Sequence, residues 1–260
     1  MTTLPSFDLS GRVALVTGAG RGLGRAICLA LANAGADVAL GLRDINADGG
    51  LAAEIEAMGR RALKLQMDVT DRAQSAAAVD KAIDKAIAEL GQIDILVNNA
   101  GGGTQAQVED FTEQDFDFTV DLTVKSTFFI SQYVGRHMIG RKTGTIINMG
   151  SQAGAIALPG EAIYCLSKAA VSHMTKCFAV EWGPHNIRVN CVAPTFFRTD
   201  GTAEALGDPA FNADVIERIA ALHRIGEPHE VSGAVVFLAS DAAAMITGHT
   251  LLIDGGWTAR

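Results

Sequence analysis

Residues 13–24 read Val-Ala-Leu-Val-Thr-Gly-Ala-Gly-Arg-Gly-Leu-Gly, an apolar run passing directly into spaced glycines. Positions 13–16 form a short unbroken apolar run, the pattern of a strand buried on both faces, and glycines follow at 18, 20, 22 and 24. From Arg25 the chain turns to Ala-Ile-Cys-Leu-Ala-Leu-Ala-Asn-Ala, mostly good helix formers, closed by Gly35. The glycines therefore sit where a strand hands over to a helix N-terminus. Backbone N–H groups at such a terminus point outward with partial positive charge, which suits a pyrophosphate.

Composition narrows the class. A chain of 260 residues, 48% hydrophobic and 19% charged, can bury a large core, and we expect a single domain over 1–260. No apolar run is long enough to cross a bilayer, and the first residues lack a basic segment followed by an apolar one. No membrane association is expected, and the cytoplasm is the default location. A net charge of −8 with no basic block argues against nucleic acid and for a small-molecule substrate. Cys28, Cys165, Cys177 and Cys191 show no Cys-x-x-Cys pairing and the histidines no His-Glu-x-x-His spacing, so buried thiols and no catalytic metal are expected.

Thr17-Gly18-x-x-x-Gly22-x-Gly24 resembles the cofactor turn of the short-chain dehydrogenase/reductase family, and later motifs follow in that family's order over nearly the whole chain. The resemblance implies a Rossmann-type, doubly wound parallel α/β sheet with helices on both faces. Strands are expected at 36–42, 62–67, 93–97, 145–149, 187–192 and 251–254, and helices at 46–58, 70–90, 111–140, 164–182 and 228–238. The glycine turn, with Gly18, Arg21, Gly22, Leu23 and Gly24, is expected to hold the cofactor. At the end of the second strand, about twenty residues on, an acid selects NAD and an arginine accommodates the extra phosphate of NADP. By resemblance the acid would fall at Leu42, whereas Arg43 and Arg21 match the basic positions of NADP-preferring members. NADP is favoured, with NAD as the alternative and Asp44 a competing partner for Arg43. Asp68 is expected at the adenine ring, with Val69 beside it among the cofactor-binding residues.

Asn98-Asn99-Ala100-Gly101 matches the family's Asn-Asn-Ala-Gly, placing Asn99, Ala100 and Gly101 against the cofactor. In Tyr164-Cys165-Leu166-Ser167-Lys168, residues i and i+4 of a helix share one face. A free tyrosine ionises near pH ~10, and the cation at Lys168 is expected to lower that value so that Tyr164 exchanges a proton with the substrate oxygen. Ser151, thirteen residues earlier at the end of a strand, would face the reacting carbonyl. The family's fourth catalytic residue, an asparagine, falls at Asp121, a departure expected to hinder tyrosine ionisation by like charge. Pro194, Phe197 and Thr199 stand where the family contacts the nicotinamide carboxamide, with Thr195 in place of a glycine.

Gln152, Glu161 and Thr195 are the polar candidates for substrate binding alongside Ser151 and Tyr164; an acid at 161 could equally complement the helix dipole. Residues 195–225 read as a helical lid. The Asp-Gly-Gly-Trp-Thr-Ala ending resembles tetrameric sugar and polyol dehydrogenases of the family, so a homotetramer is expected. The expected reaction is interconversion of a secondary alcohol and a ketone on a polyol, sugar or sugar acid. The alternatives are reduction of a 3-oxoacyl thioester and a cofactor-binding protein weakened by Asp121.

Overall fold

A computed structural model describes residues 4–69 and 75–259. Seven strands form one all-parallel sheet in the order β3-β2-β1-β4-β5-β6-β7. In chain order these are β1 (Val13–Thr17), α1 (Gly22–Asn33), β2 (Asp37–Leu42), α2 (Leu51–Ala57), β3 (Ala62–Gln66), α3 (Ser75–Leu90) and β4 (Ile95–Asn98). There follow α4 (Glu113–Val120), α5 (Ser126–Arg141), β5 (Gly144–Met149), α6 (Ala162–Trp182), β6 (Ile187–Pro194), α7 (Ala203–Gly207), α8 (Pro209–Arg218), α9 (Pro228–Ala239) and β7 (Thr250–Ile253).

Alternation along β1 divides the core. Ala14 and Val16 pack with Ile27 and Leu31 of α1 and Val231 and Val235 of α9. Val13 and Leu15 turn the other way, onto Ile83 of α3, Val134 and Met138 of α5 and Phe178 of α6. Both faces are thus covered, which is why β1 reads as a continuous apolar run. The doubly wound expectation holds, and the strand order reverses between β1 and β4, where the carboxyl ends open a crevice.

Two helices differ from expectation. The helix expected over 46–58 is only α2, because Gly49 and Gly50 adopt φ of +56° and +80° and Asp48 accepts from Ala52 N–H at 3.1 Å. The helix expected over 111–140 is broken by a π-helical turn at Asp121–Lys125, where Ser126 N–H reaches back five residues to Asp121 O. Side chains take over carbonyls near this turn: Ser126 Oγ donates to Leu122 O at 2.5 Å and Thr127 Oγ1 to Thr123 O at 2.7 Å. Of the helix expected over 70–90, positions 70–74 lie outside the described residues. Residues 195–225 fold as α7 and α8 around a small separate core of Leu206, Val215, Ile219, Ile225 and Trp257.

Candidate active site

The glycine turn is built for close approach. Gly18 and Gly22 hold φ of +64° and +53°, and a Cβ at Gly24 would lie 2.1 Å from Gly18 O. Arg21, the N-cap of α1, makes no side-chain capping bond, so the side chain before the first helical turn does not occupy its N–H groups. Leu23 packs onto the α1 side of the core. Thr199 arches over the turn, its Cβ 3.3 Å from where a Gly22 Cβ would stand. A groove of about 560 Å³ opens beside it, lined by Arg21, Arg25, Arg198 and His229 among others. Bare N–H groups, no Cβ in the way and flanking guanidiniums fit a dinucleotide pyrophosphate.

Arg43 and the half-buried Asp68 and Val69 sit at the carboxyl ends of β2 and β3. Arg21 and Arg43 are exposed and form no ion pair among the described residues. Asp44 accepts from Asn46 N–H at 2.9 Å and forms no ion pair with Arg43 among the described residues. Gln66, unmarked by the sequence reading, braces this corner: its amide donates to Arg43 O and its Oε1 accepts from Ile45 N–H at 3.0 Å.

The Asn-Asn-Ala-Gly segment locks β1, β4 and β5 together. Asn99 Nδ2 donates to Thr17 O at 3.0 Å and Gly18 O at 3.1 Å, while Asn99 and Ala100 N–H both donate to Thr17 Oγ1 at 3.0 Å. Asn98 Nδ2 donates to Ser131 Oγ and Asn148 Oδ1, and Asn148 Nδ2 to Thr175 Oγ1. Asn148, fully buried, also escaped the sequence reading, although an amide between Ile147 and Met149 near the end of an expected strand was a signal.

Ser151, Tyr164 and Lys168 converge at the end of β5. Glycine permits the contact: a Cβ at Gly154 would press on the Lys168 backbone at 2.9 Å, and one at Gly101 would stand 3.2 Å from Lys168 Nζ. Lys168 Nζ donates to Met149 O at 2.7 Å and lies 5.5 Å from the centroid of the Tyr164 ring. Ser151 Oγ accepts from Ala153 N–H and donates to Gln152 Oε1 at 3.0 Å. The same hydroxyl bears on the Tyr164 phenol and favours its ionised form. Gln152 is itself buried.

The electrostatics correct one expectation. Burial pushes the Tyr164 phenol up to about 12, with the Ser151 hydroxyl opposing the rise and the charge of Glu161 adding to it. Lys168 does not offset this rise, because its ammonium is turned to the Met149 carbonyl and lies under the ring rather than at the hydroxyl. Burial also lowers Lys168 itself to about 8. The carboxylate that bears on Tyr164 is Glu161, whereas Asp121, buried in the π turn, pairs with Lys125 at 3.8 Å.

Glu161 is the N-cap of α6 yet makes no capping bond. Its Oε1 instead accepts from Gln105 Nε2, a residue the sequence reading did not single out. Pro194 ends β6, and Thr195 N–H donates to Ile253 O while Thr195 Oγ1 is buried without a partner among the described residues. The Phe197 ring is spent in the core against Gly226, where a Cβ would meet it at 2.3 Å. Among the described residues no cluster of histidine, cysteine or carboxylate side chains is arranged to hold a metal, and no helix is long and apolar enough to cross a membrane.

Comparison with known proteins agrees with this geometry. A dehydrogenase family model described as enoyl-(acyl carrier protein) reductase matches residues 18–258. The chain is 42% identical to D-threitol dehydrogenase from Mycolicibacterium smegmatis, over 98% of this chain and 95% of that one. It is 39% identical to 2-dehydro-3-deoxy-D-gluconate 5-dehydrogenase from Escherichia coli, over 99% of each. A gluconate 5-dehydrogenase from Burkholderia cenocepacia, solved with NADP and tartrate, superposes with a TM-score of 0.92 at 37% identity, covering 98% of both chains. A glycine turn that fits a pyrophosphate, a serine, tyrosine and lysine brought to one crevice and relatives matched end to end lead to one assignment: the chain belongs to the short-chain dehydrogenase/reductase family, oxidoreductases acting on CH–OH groups.

Proposed function

We propose that the chain interconverts a secondary alcohol and a ketone on a polyol, sugar or sugar acid, with NADP as the preferred carrier. The observation that carries this reading is the convergence of Ser151 and Lys168 on Tyr164 beside the crevice between β1 and β4. The nicotinamide supplies or accepts the hydride. In carbonyl reduction Ser151 Oγ donates a hydrogen bond to the substrate oxygen, and Tyr164 delivers its hydroxyl proton to the oxygen as negative charge develops there. A phenol held near 12 is protonated at neutral pH and ready for that step. In alcohol oxidation the same oxygen takes the proton, so that direction gains with rising pH. Lys168 holds positive charge under the ring and favours the phenolate once it forms.

Arg21 and Arg43 recognise the 2′-phosphate of NADP as charge-assisted donors, and Asp68 with Val69 lines the adenine side. Gly18, Gly22, Leu23, Gly24, Asn99, Ala100 and Gly101 shape the floor under the dinucleotide, with Pro194, Phe197 and Thr199 at its nicotinamide end. Gln152, Glu161 and Thr195 face the substrate. Asp121 keeps the catalytic position in the π turn. The segment 195–225 closes the substrate end as a lid, supported by its own small core. A homotetramer acting in the cytoplasm fits the family resemblance and the exposed Phe128, Phe129, Leu166 and Val180 on α5 and α6. A 3-oxoacyl thioester is less suited, since Glu161 opposes an acidic carrier at the cleft. Initial rates with NADP and NAD over polyols, sugars, sugar acids and 3-oxoacyl thioesters test this reading; turnover confined to the thioesters would overturn it.

A further inference from the structure

The loop at 101–107 and the start of α6 are stitched together across the mouth of the cleft. Ala106 N–H donates to Gly160 O at 3.1 Å, and Gln105 Nε2 donates to Glu161 Oε1. Gly160, at φ +76°, turns the chain so that Glu161 begins the helix one turn before Tyr164, on the same face. The carboxylate is half-buried, and burial raises its pKa while Gln105 opposes the rise. Among the described residues no cationic side chain pairs with it, and its side chain accepts from the protein only through Oε1, leaving Oε2 open to solvent or a ligand. The nearest catalytic cation, Lys168, is committed to Met149 O. A carboxylate in this state has one oxygen available to a ligand and carries negative charge that no neighbouring cation offsets.

We propose that Glu161, positioned by Gln105, is the specificity-determining residue of the cleft and selects neutral polyhydroxylated substrates over sugar acids, its free oxygen accepting a hydrogen bond from a substrate hydroxyl. This rests on the alcohol–ketone reading above and narrows its substrate class. A hydroxyl near Tyr164 supplies the donor the carboxylate lacks, and a substrate carboxylate at the same place meets like charge with no cation to offset it. Hydrogen-bond selection of this kind discriminates strongly, because a bound substrate that displaces water without offering a donor leaves the carboxylate unpaired. Glu161 thus acts on which substrate is held, while proton transfer stays with Tyr164.

The test compares kcat/KM on length-matched neutral and acidic pairs, threitol with threonate and glucitol with gluconate, for wild type, Glu161→Gln and Gln105→Ala. NADPH affinity is followed by fluorescence as a check on folding. Wild type is expected to prefer the neutral member at least tenfold. Glu161→Gln should cut that preference at least tenfold with NADPH affinity kept within a few-fold. Gln105→Ala, on an exposed loop position, should raise KM for the polyol while kcat stays within about twofold, a split that a merely structural role would not produce; if Glu161→Gln fails to bind NADPH, this variant decides alone. Wild-type preference for the acid, or an unchanged ratio in Glu161→Gln, overturns the inference and leaves the alcohol–ketone reading standing. Absence of turnover by wild type on all four compounds, with activity on thioesters alone, overturns both.

Discussion

Replacing Gly24 with alanine adds one methyl group where the fold has no room for it. The new Cβ would lie 2.1 Å from Gly18 O and 2.6 Å from Asn99 Nδ2, so the start of α1 and the glycine turn must separate by over about 1 Å to reach ordinary contact. That movement breaks the 3.1 Å bond from Asn99 to Gly18 O. Overpacking costs about 1–3 kcal/mol and a lost hydrogen bond about 1 kcal/mol, together about 2–4 kcal/mol. In a chain of this size the unfolding midpoint falls by roughly 5–15 °C. The same displacement spoils the N–H cradle, so NADPH binding should weaken at least tenfold. Gly140→Ala is the control: it sits within α5 with no heavy atom within 4 Å and gains up to ~1 kcal/mol from helix propensity. Thermal unfolding by circular dichroism and NADPH fluorescence titration read both effects. Equal midpoints for the two variants, with unchanged NADPH affinity, would refute the close-approach argument.

Three further outcomes are expected. Because burial lowers Lys168 from 10.5 to about 8, the unfolded chain binds a proton the folded chain sheds between those values. The contribution of this group to stability therefore rises with pH across that window, by roughly 3 kcal/mol. Lys168→Met should be more stable than wild type at pH 7 in urea titrations, the gap narrowing toward pH 10, and inactive at both; a gap independent of pH would count against a strained lysine. Arg43→Ala should weaken NADPH far more than NADH in fluorescence titrations, since only the former carries the 2′-phosphate, and equal losses would remove Arg43 from that role. Asp121→Asn should shift the pH profile of alcohol oxidation less than Glu161→Gln does, because Glu161 is the carboxylate that bears on Tyr164; the reverse order in rate profiles would restore Asp121 as the opposing charge.

Most of the fold was legible because buried parallel strands announce themselves as unbroken apolar runs and glycine marks each place where the backbone must pass close. The turn at Gly18, Gly22 and Gly24 and the contact of Gly101 and Gly154 with Lys168 are of this kind. The interruption of the helix at 111–140 was not legible, because it is sustained by side chains of Ser126 and Thr127 taking over backbone carbonyls, a choice that apolar periodicity does not record. Spacing placed Lys168 beside Tyr164 correctly but could not say where the ammonium points; the Met149 carbonyl, from a strand nineteen residues earlier, decides that. Gln105 was missed for the same reason, since its bond to Glu161 spans fifty-six residues and exists only once two loops dock.

In the proposed function Tyr164 transfers the proton while the dinucleotide is held independently of it. Tyr164→Phe removes only the hydroxyl, the group on which Ser151 and Glu161 bear. Stopped-flow nicotinamide absorbance with wild type and this variant, on the best substrate of the panel, tests the claim most directly. Hydride transfer is expected to fall by at least a thousandfold with NADPH affinity within a few-fold of wild type. Transfer within tenfold of wild type would contradict it.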